Sequence, residues 1–127
     1  IACLLPGTSF YLNSTYAPAR AMIEKGVPVA FGSDFNPGSC PSNSLQLAMH
    51  IGCYKYAMTP EECLTAVTLN SAAAINRAKV TGTVEKGKQA DMLIWDAPNL
   101  DYLFYRFGDN LVDTVIKKGE IVASKLR

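Results

Sequence analysis

The sequence predicts an α/β fold up to about residue 79 and an all-β segment after it. Two short apolar runs, 2–5 and 27–31, each lead into a loop and a helix-like segment, as buried strands of a parallel sheet do. From about residue 80, short strands alternate with turn-rich stretches instead. Two strand–helix units cannot close a parallel barrel, which takes eight units and about 250 residues. The pattern therefore predicts the end of a (β/α)8 barrel rather than a whole one.

Composition places the 127-residue chain among globular proteins, because 49% of its residues are hydrophobic and 18% are charged. A net charge of +1 argues against a nucleic-acid or membrane partner. No apolar run reaches the length of a membrane span. The chain begins with Ile1 rather than Met, so we expect processing or a piece of a longer protein.

The four cysteines are predicted to be free thiols. None of the pairs has the C-x-x-C spacing of a zinc or redox site. Free cysteines are typical of a reducing compartment, so we expect a cytoplasmic protein. The cysteines are Cys3, Cys40, Cys53 and Cys63.

The first part of the chain alternates strands and helices. The predicted elements are a strand at 2–5, a loop at 8–14, a helix at about 17–25, a strand at 27–31 and a helix at about 44–57. Pro18 is tolerated in the first turn of its helix, and Gly26 ends that helix. Pro28 cannot donate a ladder hydrogen bond, so it belongs at the very start of its strand.

Two helix starts can be read from capping residues. Ser42 or Asn43 can cap the helix at 44–57, whose predicted apolar face consists of Leu45, Met49, Cys53 and Tyr56. The run 59–62, Thr-Pro-Glu-Glu, is a strong helix start with a Thr cap, Pro at the first position and Glu at the third. The small residues at 70–74 either continue that helix or break it into two pieces.

The second part reads as β-structure. The predicted elements are a strand at 92–95, an extended aromatic stretch at 102–107 and a hairpin at 114–123 around Gly119. The spacing of Gly82, Gly87 and Lys88 approaches that of a phosphate-binding loop. However, Gln89 stands where Ser or Thr would hold magnesium, and a strand follows instead of a helix. We therefore predict turns at these glycines and no nucleotide site.

His50 is the only histidine of the chain, and it lies in the middle of a predicted helix. One imidazole cannot build a histidine-rich metal site. Beyond this one imidazole, the chain offers no Ser-His-Asp or Cys-His set. The sequence therefore favours a structural or exposed role for His50 over a catalytic one.

The strongest candidate for chemistry is the segment after the strand at 27–31. Asp34 comes where this strand ends, and Asn36, Gly38 and Ser39 follow it in a turn. Such a loop can place a carboxylate, an amide and backbone N–H groups around one point, which would suit a metal-bound water and a polar substrate. The alternative is a loop that only caps a turn or helix.

Four segments resemble the imidazolonepropionases, a family within the metal-dependent amidohydrolases of histidine degradation. They are Leu-Pro-Gly-Thr-Ser-Phe-Tyr-Leu at 5–12, Gly-Val-Pro-Val-Ala at 26–30, Ser-Asp-Phe-Asn-Pro-Gly-Ser at 33–39 and Gly-Thr-Val-Glu-Lys-Gly-Lys-Gln-Ala-Asp-Met-Leu-Ile at 82–94. The third is specific to these enzymes, whereas the fourth is typical of the wider superfamily. The resemblance spans essentially the whole chain.

The resemblance implies a role for each residue of the loop. Asp34 resembles the metal-ligating aspartate at the end of the eighth barrel strand, which also shuttles a proton from the metal-bound water. Asn36, Gly38 and Ser39 match positions that contact the substrate. By the same resemblance, residues 1–79 form the C-terminal portion of the barrel, and residues 80–127 form the C-terminal portion of a small β-sandwich.

The function implied for the complete enzyme is hydrolysis of the cyclic amide of 4-imidazolone-5-propanoate to N-formimidoyl-L-glutamate, with one divalent ion, zinc or iron. The His-x-His, the later metal-binding histidines and the acid/base glutamate of the family are absent from this chain. We therefore expect the 127 residues alone to retain no metal and to be inactive.

Two alternatives remain. One is another amidohydrolase, such as a cytosine or guanine deaminase, although the run Asn-Pro-Gly at 36–38 argues against it. The other is a non-catalytic domain that self-associates through apolar surface. The expected partners are a small-molecule substrate and a second copy of the chain in a homodimer, with no nucleic acid and no membrane.

Overall fold

A computed structural model describes residues 1–125 of the chain. Its elements, in order, are β1 (Ala2–Leu4), α1 (Pro6–Tyr11), α2 (Ala19–Glu24), β2 (Val29–Phe31), α3 (Leu45–Lys55), α4 (Pro60–Val67), α5 (Leu69–Ala74), β3 (Met92–Trp95), α6 (Leu100–Tyr105), β4 (Val112–Lys117) and β5 (Glu120–Ser124). β1 and β2 pair in parallel, and β3, β4 and β5 form an antiparallel sheet in that order. The predicted change from α/β to β-strands is therefore present, with one added helix, α6.

The two parallel strands position everything that follows them. Their register pairs Ala2 with Val29 and Leu4 with Phe31. The side chains of Leu4, Val29 and Phe31 are buried in the core, on the side covered by helices. Because parallel strands end at the same edge of a sheet, the segments after Leu4 and Phe31 leave it side by side.

Two helices lie where the sequence predicted none. Residues 8–14 were expected to be a loop, but α1 occupies 6–11, with Pro6 buried at its first position. Residues 102–107 were expected to be extended, but α6 covers 100–105 and is capped by Asn99, whose side chain accepts a hydrogen bond from the Tyr102 N–H at 2.8 Å. Aromatic residues favour strands in isolation, which led to the extended prediction for 102–107. Both predictions were wrong because α1 and α6 are stabilised by packing against α3 rather than by local propensity.

The N-cap and the buried face of α3 also differ from prediction. Ser44 caps the helix in place of Ser42 or Asn43, and its hydroxyl accepts from the Leu47 N–H at 3.1 Å. Of the predicted face, Met49 and Tyr56 are buried but Leu45 is 42% exposed. The reason is that α3 packs against α1, α4 and α6 at once, so its buried surface extends around the helix beyond a single stripe.

The predicted capping box of α4 is confirmed, because Thr59 and Glu62 exchange backbone-to-side-chain hydrogen bonds at 3.3 and 2.8 Å. The small-residue run breaks away as a separate helix, α5. From α5, Asn70 donates to the Val29 carbonyl at 2.8 Å. The single Ser71 hydroxyl proton is shared between the Ala66 carbonyl at 2.6 Å and the Phe31 carbonyl at 3.0 Å. These two side chains bond carbonyl oxygens of β2, so α5 anchors the strand that leads to Asp34.

His50 has the structural role that the sequence favoured. It is 1% exposed, and its Nε2 lies 2.9 Å from the Leu103 carbonyl oxygen. A carbonyl only accepts, so the ring proton is on Nε2 and Nδ1 is left to accept from the Gly108 N–H at 3.5 Å. Leu103 and Phe104 belong to the same core as Met49, so α6 joins the second part of the chain to the first.

The turn between β4 and β5 is built on two residues with positive φ, Lys118 at 53° and Gly119 at 86°. This backbone suits a tight hairpin. Gly82 and Gly87 also have positive φ, 96° and 91°, within turns, as predicted. The sheet leaves Ile121 and Val122 on its surface, 68% and 60% exposed.

The Asp91 carboxylate should make the stability of the chain depend on acid pH. A hydrogen bond from Lys117, followed by one from the Lys118 backbone N–H, lowers the pKa of Asp91 to about 2. Its pKa in an unfolded chain is about 3.9. The carboxylate therefore stabilises the fold above about pH 4, and this contribution is lost as the pH falls towards 2. We expect Asp91→Asn to lower Tm at pH 6, with the gap to the wild type narrowing towards pH 2.

Thermal melts followed by circular dichroism between pH 2 and 6 would measure that gap. Asp101→Asn is the matched control, since Asp101 is an exposed carboxylate in the first turn of α6. A Tm difference between Asp91→Asn and the wild type that stays constant from pH 2 to pH 6 would contradict the predicted contribution of the Asp91 carboxylate to stability.

All four cysteines are free thiols, as predicted. Burial raises the pKa of the Cys63 thiol to about 12, so this group stays protonated and unreactive near neutral pH.

Among residues 1–125, none of the helices is long and apolar enough to cross a membrane.

Candidate active site

Asp34 lies just beyond the carboxyl end of β2, where the sequence placed it. The neighbouring strand β1 leads into α1, whose third residue is Thr8. The Thr8 hydroxyl donates to Oδ2 of Asp34 at 2.7 Å, although the two residues are 26 positions apart. The edge shared by the two parallel strands is therefore the place where their following segments meet.

The loop after Asp34 closes on itself through the side chain of Asn36. Its Oδ1 accepts from the N–H groups of Gly38 and Ser39 at 2.9 and 2.8 Å. Its Nδ2 donates to the Asp34 carbonyl and to Ser39 Oγ, both at 2.7 Å. These four bonds use the full capacity of a primary amide. Asn36 therefore fixes the shape of the loop, and the backbone pair between Asn36 and Cys40 closes its base.

The two carboxylate oxygens of Asp34 have different surroundings. Oδ2 accepts from Thr8 and, at 3.2 Å, from the Ser39 hydroxyl. Oδ1 makes no hydrogen bond to any described residue. The backbone of Asp34 has φ 49°, a left-handed conformation that costs a non-glycine residue about 1–2 kcal/mol. Hydrogen bonds thus hold Oδ2 in place, whereas Oδ1 can still accept a hydrogen bond or a proton.

The structure brings together all four of the predicted site residues, Asp34, Asn36, Gly38 and Ser39, in one partly exposed loop. Sequence reasoning missed Thr8, which it assigned to a loop. A sequence signal for Thr8 was present, because it follows the strand β1 just as Asp34 follows β2, and polar residues after parallel strands meet at the same edge of a sheet. Gly7 allows the close approach, since a Cβ at that position would lie 2.7 Å from Cys40 Sγ at the end of the Asp34 loop.

The described residues do not fit a metal ion on their own. Within 1–125 there is no group of three or more His, Cys, Asp or Glu side chains that could hold one. Around Asp34 the other polar side chains are hydroxyls and an amide, and His50 is bonded to α6. Asp34 can therefore supply only one ligand. A cavity of about 360 Å³ lies away from it, beside Val27, Pro28 and Met58 at the start of β2.

Sequence comparison relates the chain to curated proteins over nearly its whole length. It is 56% identical over 128 residues to imidazolonepropionase of Treponema denticola, covering 100% of this chain and 31% of that protein. It is 58% identical over 122 residues to imidazolonepropionase of Alkaliphilus oremlandii, covering 95% of this chain and 29% of that protein. The chain thus spans about 30% of the length of these relatives.

Solved structures show the same fold in more distant proteins. A mutant of atrazine chlorohydrolase from Arthrobacter aurescens, complexed with zinc and atraton, matches with a TM-score of 0.83 at 19% identity, over 96% of this chain and 31% of the other. An adenosine deaminase from Xanthomonas campestris with bound zinc matches with a TM-score of 0.81 at 24% identity, over 94% and 31%. These likenesses indicate a barrel-type amidohydrolase fold.

The family model described as "Amidohydrolase family" matches residues 2–122, a range that includes both parallel strands, the Asp34 loop, β3, β4 and the first part of β5. Membership of this family implies a divalent metal ion, and the lone carboxylate at a strand end agrees with a contribution of one ligand. The chain therefore belongs to the amidohydrolase family.

Proposed function

We propose that the Asp34 loop serves an imidazolonepropionase, which hydrolyses the cyclic amide of 4-imidazolone-5-propanoate to N-formimidoyl-L-glutamate. The observation that carries this proposal is the closed loop Asp34–Ser39 at the shared edge of β1 and β2, with one free carboxylate oxygen. Its support is the 56% identity to the Treponema denticola imidazolonepropionase.

In this proposal, residues 1–79 are the last part of a (β/α)8 barrel and residues 80–127 are part of a β-sandwich. Positions 126 and 127 of the second range lie outside the described residues. Asp34 is one ligand of the divalent ion, zinc or iron. The ring C–N bond breaks as water adds across it, and Oδ1 of Asp34 accepts the proton that the attacking water releases. That proton then passes to the leaving nitrogen, so no other reactant is needed.

Asn36, Gly38 and Ser39 are proposed to border the carboxylate and ring of the substrate. The Asn36 amide is saturated within the loop, so a contact from its side chain to the substrate replaces one of those bonds. Gly38 is exposed, and its lack of a side chain leaves room for close approach to the backbone.

A chimaeric enzyme tests the proposal. In this chimaera, the 127 residues replace the matching segment of the Treponema denticola protein, to which they are 56% identical. We expect the chimaera to open 4-imidazolone-5-propanoate and to leave guanine, cytosine and adenosine unchanged. The purified 127-residue chain, with zinc or iron added, should show no turnover.

Activity of the folded chimaera on a nucleobase, without activity on the imidazolone, would contradict the proposal and favour a deaminase. Turnover by the isolated chain would contradict its predicted inactivity. The homodimer remains a prediction. The exposed side chains of Ile121 and Val122 are apolar surface that a second copy could cover.

A further inference from the structure

Thr8 is bonded to the proposed catalytic carboxylate but comes from a different strand–helix unit. Its hydroxyl lies 2.7 Å from Oδ2 of Asp34. This is the short distance expected for an O–H group that donates to an ionised carboxylate, a bond stronger than one between neutral groups. The contact is partly buried, which weakens competition from water.

The other donor to the same oxygen is less independent. Ser39 lies five residues after Asp34 in the same loop, at 3.2 Å, and its hydroxyl also accepts from Asn36. If the loop shifted as a unit, Ser39 would shift with it. Thr8 belongs to α1, so it alone of the two ties Asp34 to the end of the neighbouring strand.

We propose that Thr8 is a positioning residue, which fixes the side-chain rotamer of Asp34 so that Oδ2 is held and Oδ1 faces the reaction. This inference deepens the proposed function and, for its catalytic consequence, rests on it. Without the Thr8 hydroxyl, the Ser39 hydroxyl is the one donor among the described residues that still holds the Asp34 carboxylate against rotation.

Two substitutions separate the hydroxyl from the shape of the side chain. Thr8→Val keeps the size and branching but removes the donor, whereas Thr8→Ser keeps the donor. Thr65→Val is the matched control, because the Thr65 hydroxyl donates to the Glu61 carbonyl within α4, away from the loop.

In the chimaera, we expect Thr8→Val to lower kcat by about 10–100-fold, the range seen when a group that orients a reacting residue is lost, with little change in KM. Thr8→Ser should restore most of kcat, and Thr65→Val should leave it unchanged. If both Thr8 variants lost activity only because the fold was disturbed, Thr8→Ser would not restore kcat. Wild-type kcat in the folded Thr8→Val chimaera would overturn the proposal.

A second measurement needs no catalysis. Three-bond NMR couplings from the backbone to Cγ of Asp34, recorded on the 127-residue chain, report whether that side chain keeps one rotamer. We expect one rotamer in the wild type and in Thr8→Ser, and averaging in Thr8→Val. Unchanged couplings in Thr8→Val would overturn the positioning role. If the wild-type chimaera is inactive while the couplings show one Asp34 rotamer in the wild type and averaging in Thr8→Val, the result counts against the proposed function alone.

Discussion

Replacing Asp34 with asparagine should lower the turnover of the chimaera by about 10²–10⁴-fold, the usual contribution of a general acid or base. Asparagine has nearly the same shape, and its side-chain oxygen can still accept from Thr8 and Ser39, which now bond Oδ2. What it loses is the carboxylate charge, which in the proposed function serves both as one ligand of the divalent ion and as the acceptor of a proton from water. The loss should therefore fall on kcat while the fold is kept.

Steady-state kinetics on 4-imidazolone-5-propanoate measure this effect, and circular dichroism verifies that the variant is folded. Asp101→Asn makes the same chemical change on the exposed surface of α6 and should be silent. A folded Asp34→Asn chimaera that keeps more than about a tenth of the wild-type kcat would be incompatible with a proton-transfer role of this size.

Gly52→Ala should destabilise the core through a steric clash. A Cβ at this position of α3 would lie 2.5 and 2.6 Å from ring atoms of Phe31 and 3.1 Å from Cys63 Sγ. Phe31 is 4% exposed and Cys63 0% exposed, so neither can turn towards solvent. Overpacking of this kind costs about 1–3 kcal/mol.

One effect opposes the clash. Alanine is favoured over glycine inside a helix by about 1 kcal/mol, and Gly52 lies within α3. We expect the clash to win, because the Phe31 ring is also packed against Tyr56 at a centroid distance of 6.1 Å. The net result should be a fall in Tm of several degrees, since about 1 kcal/mol shifts Tm by roughly 4 °C in a chain of this size.

A double-mutant cycle in chemical denaturation isolates the contact. Phe31→Leu shortens the ring that the new methyl group would meet, so Gly52→Ala should cost less in the Phe31→Leu background than in the wild type. A rise in Tm on Gly52→Ala alone would mean that the ring moves aside and that helix propensity decides the outcome.

Local sequence signals were sufficient where a residue's role depends on its immediate neighbours. The Thr59 capping box and the hairpin around Gly119 were predicted, because each depends on contacts within a few residues. The break before α5 was one of two alternatives that the sequence left open. The Asp34 loop was predicted from its place directly after the strand at 27–31 and from its turn residues. In the structure, Asn36 organises this loop with bonds to residues 34, 38 and 39.

The same local reasoning failed for α1, α6 and the buried face of α3. In α6, Leu103 and Phe104 are buried against residues more than 40 positions away, and His50 bonds the Leu103 carbonyl from α3. These contacts offset the weak helix propensity of an aromatic segment. No sequence pattern within residues 100–105 indicates these long-range contacts.

The sequence by itself determined the succession of strands, the capped start of α4, the Asp34 loop and the resemblance to amidohydrolases. Only the tertiary structure decided that Thr8 meets Asp34, which of the two carboxylate oxygens stays free and why Gly52 must lack a side chain. The physical reason is distance along the chain. Parallel strands end at one edge of the sheet, which brings the Thr8 hydroxyl within 2.7 Å of Asp34 Oδ2. The two residues are 26 positions apart in sequence, and no local periodicity spans that interval.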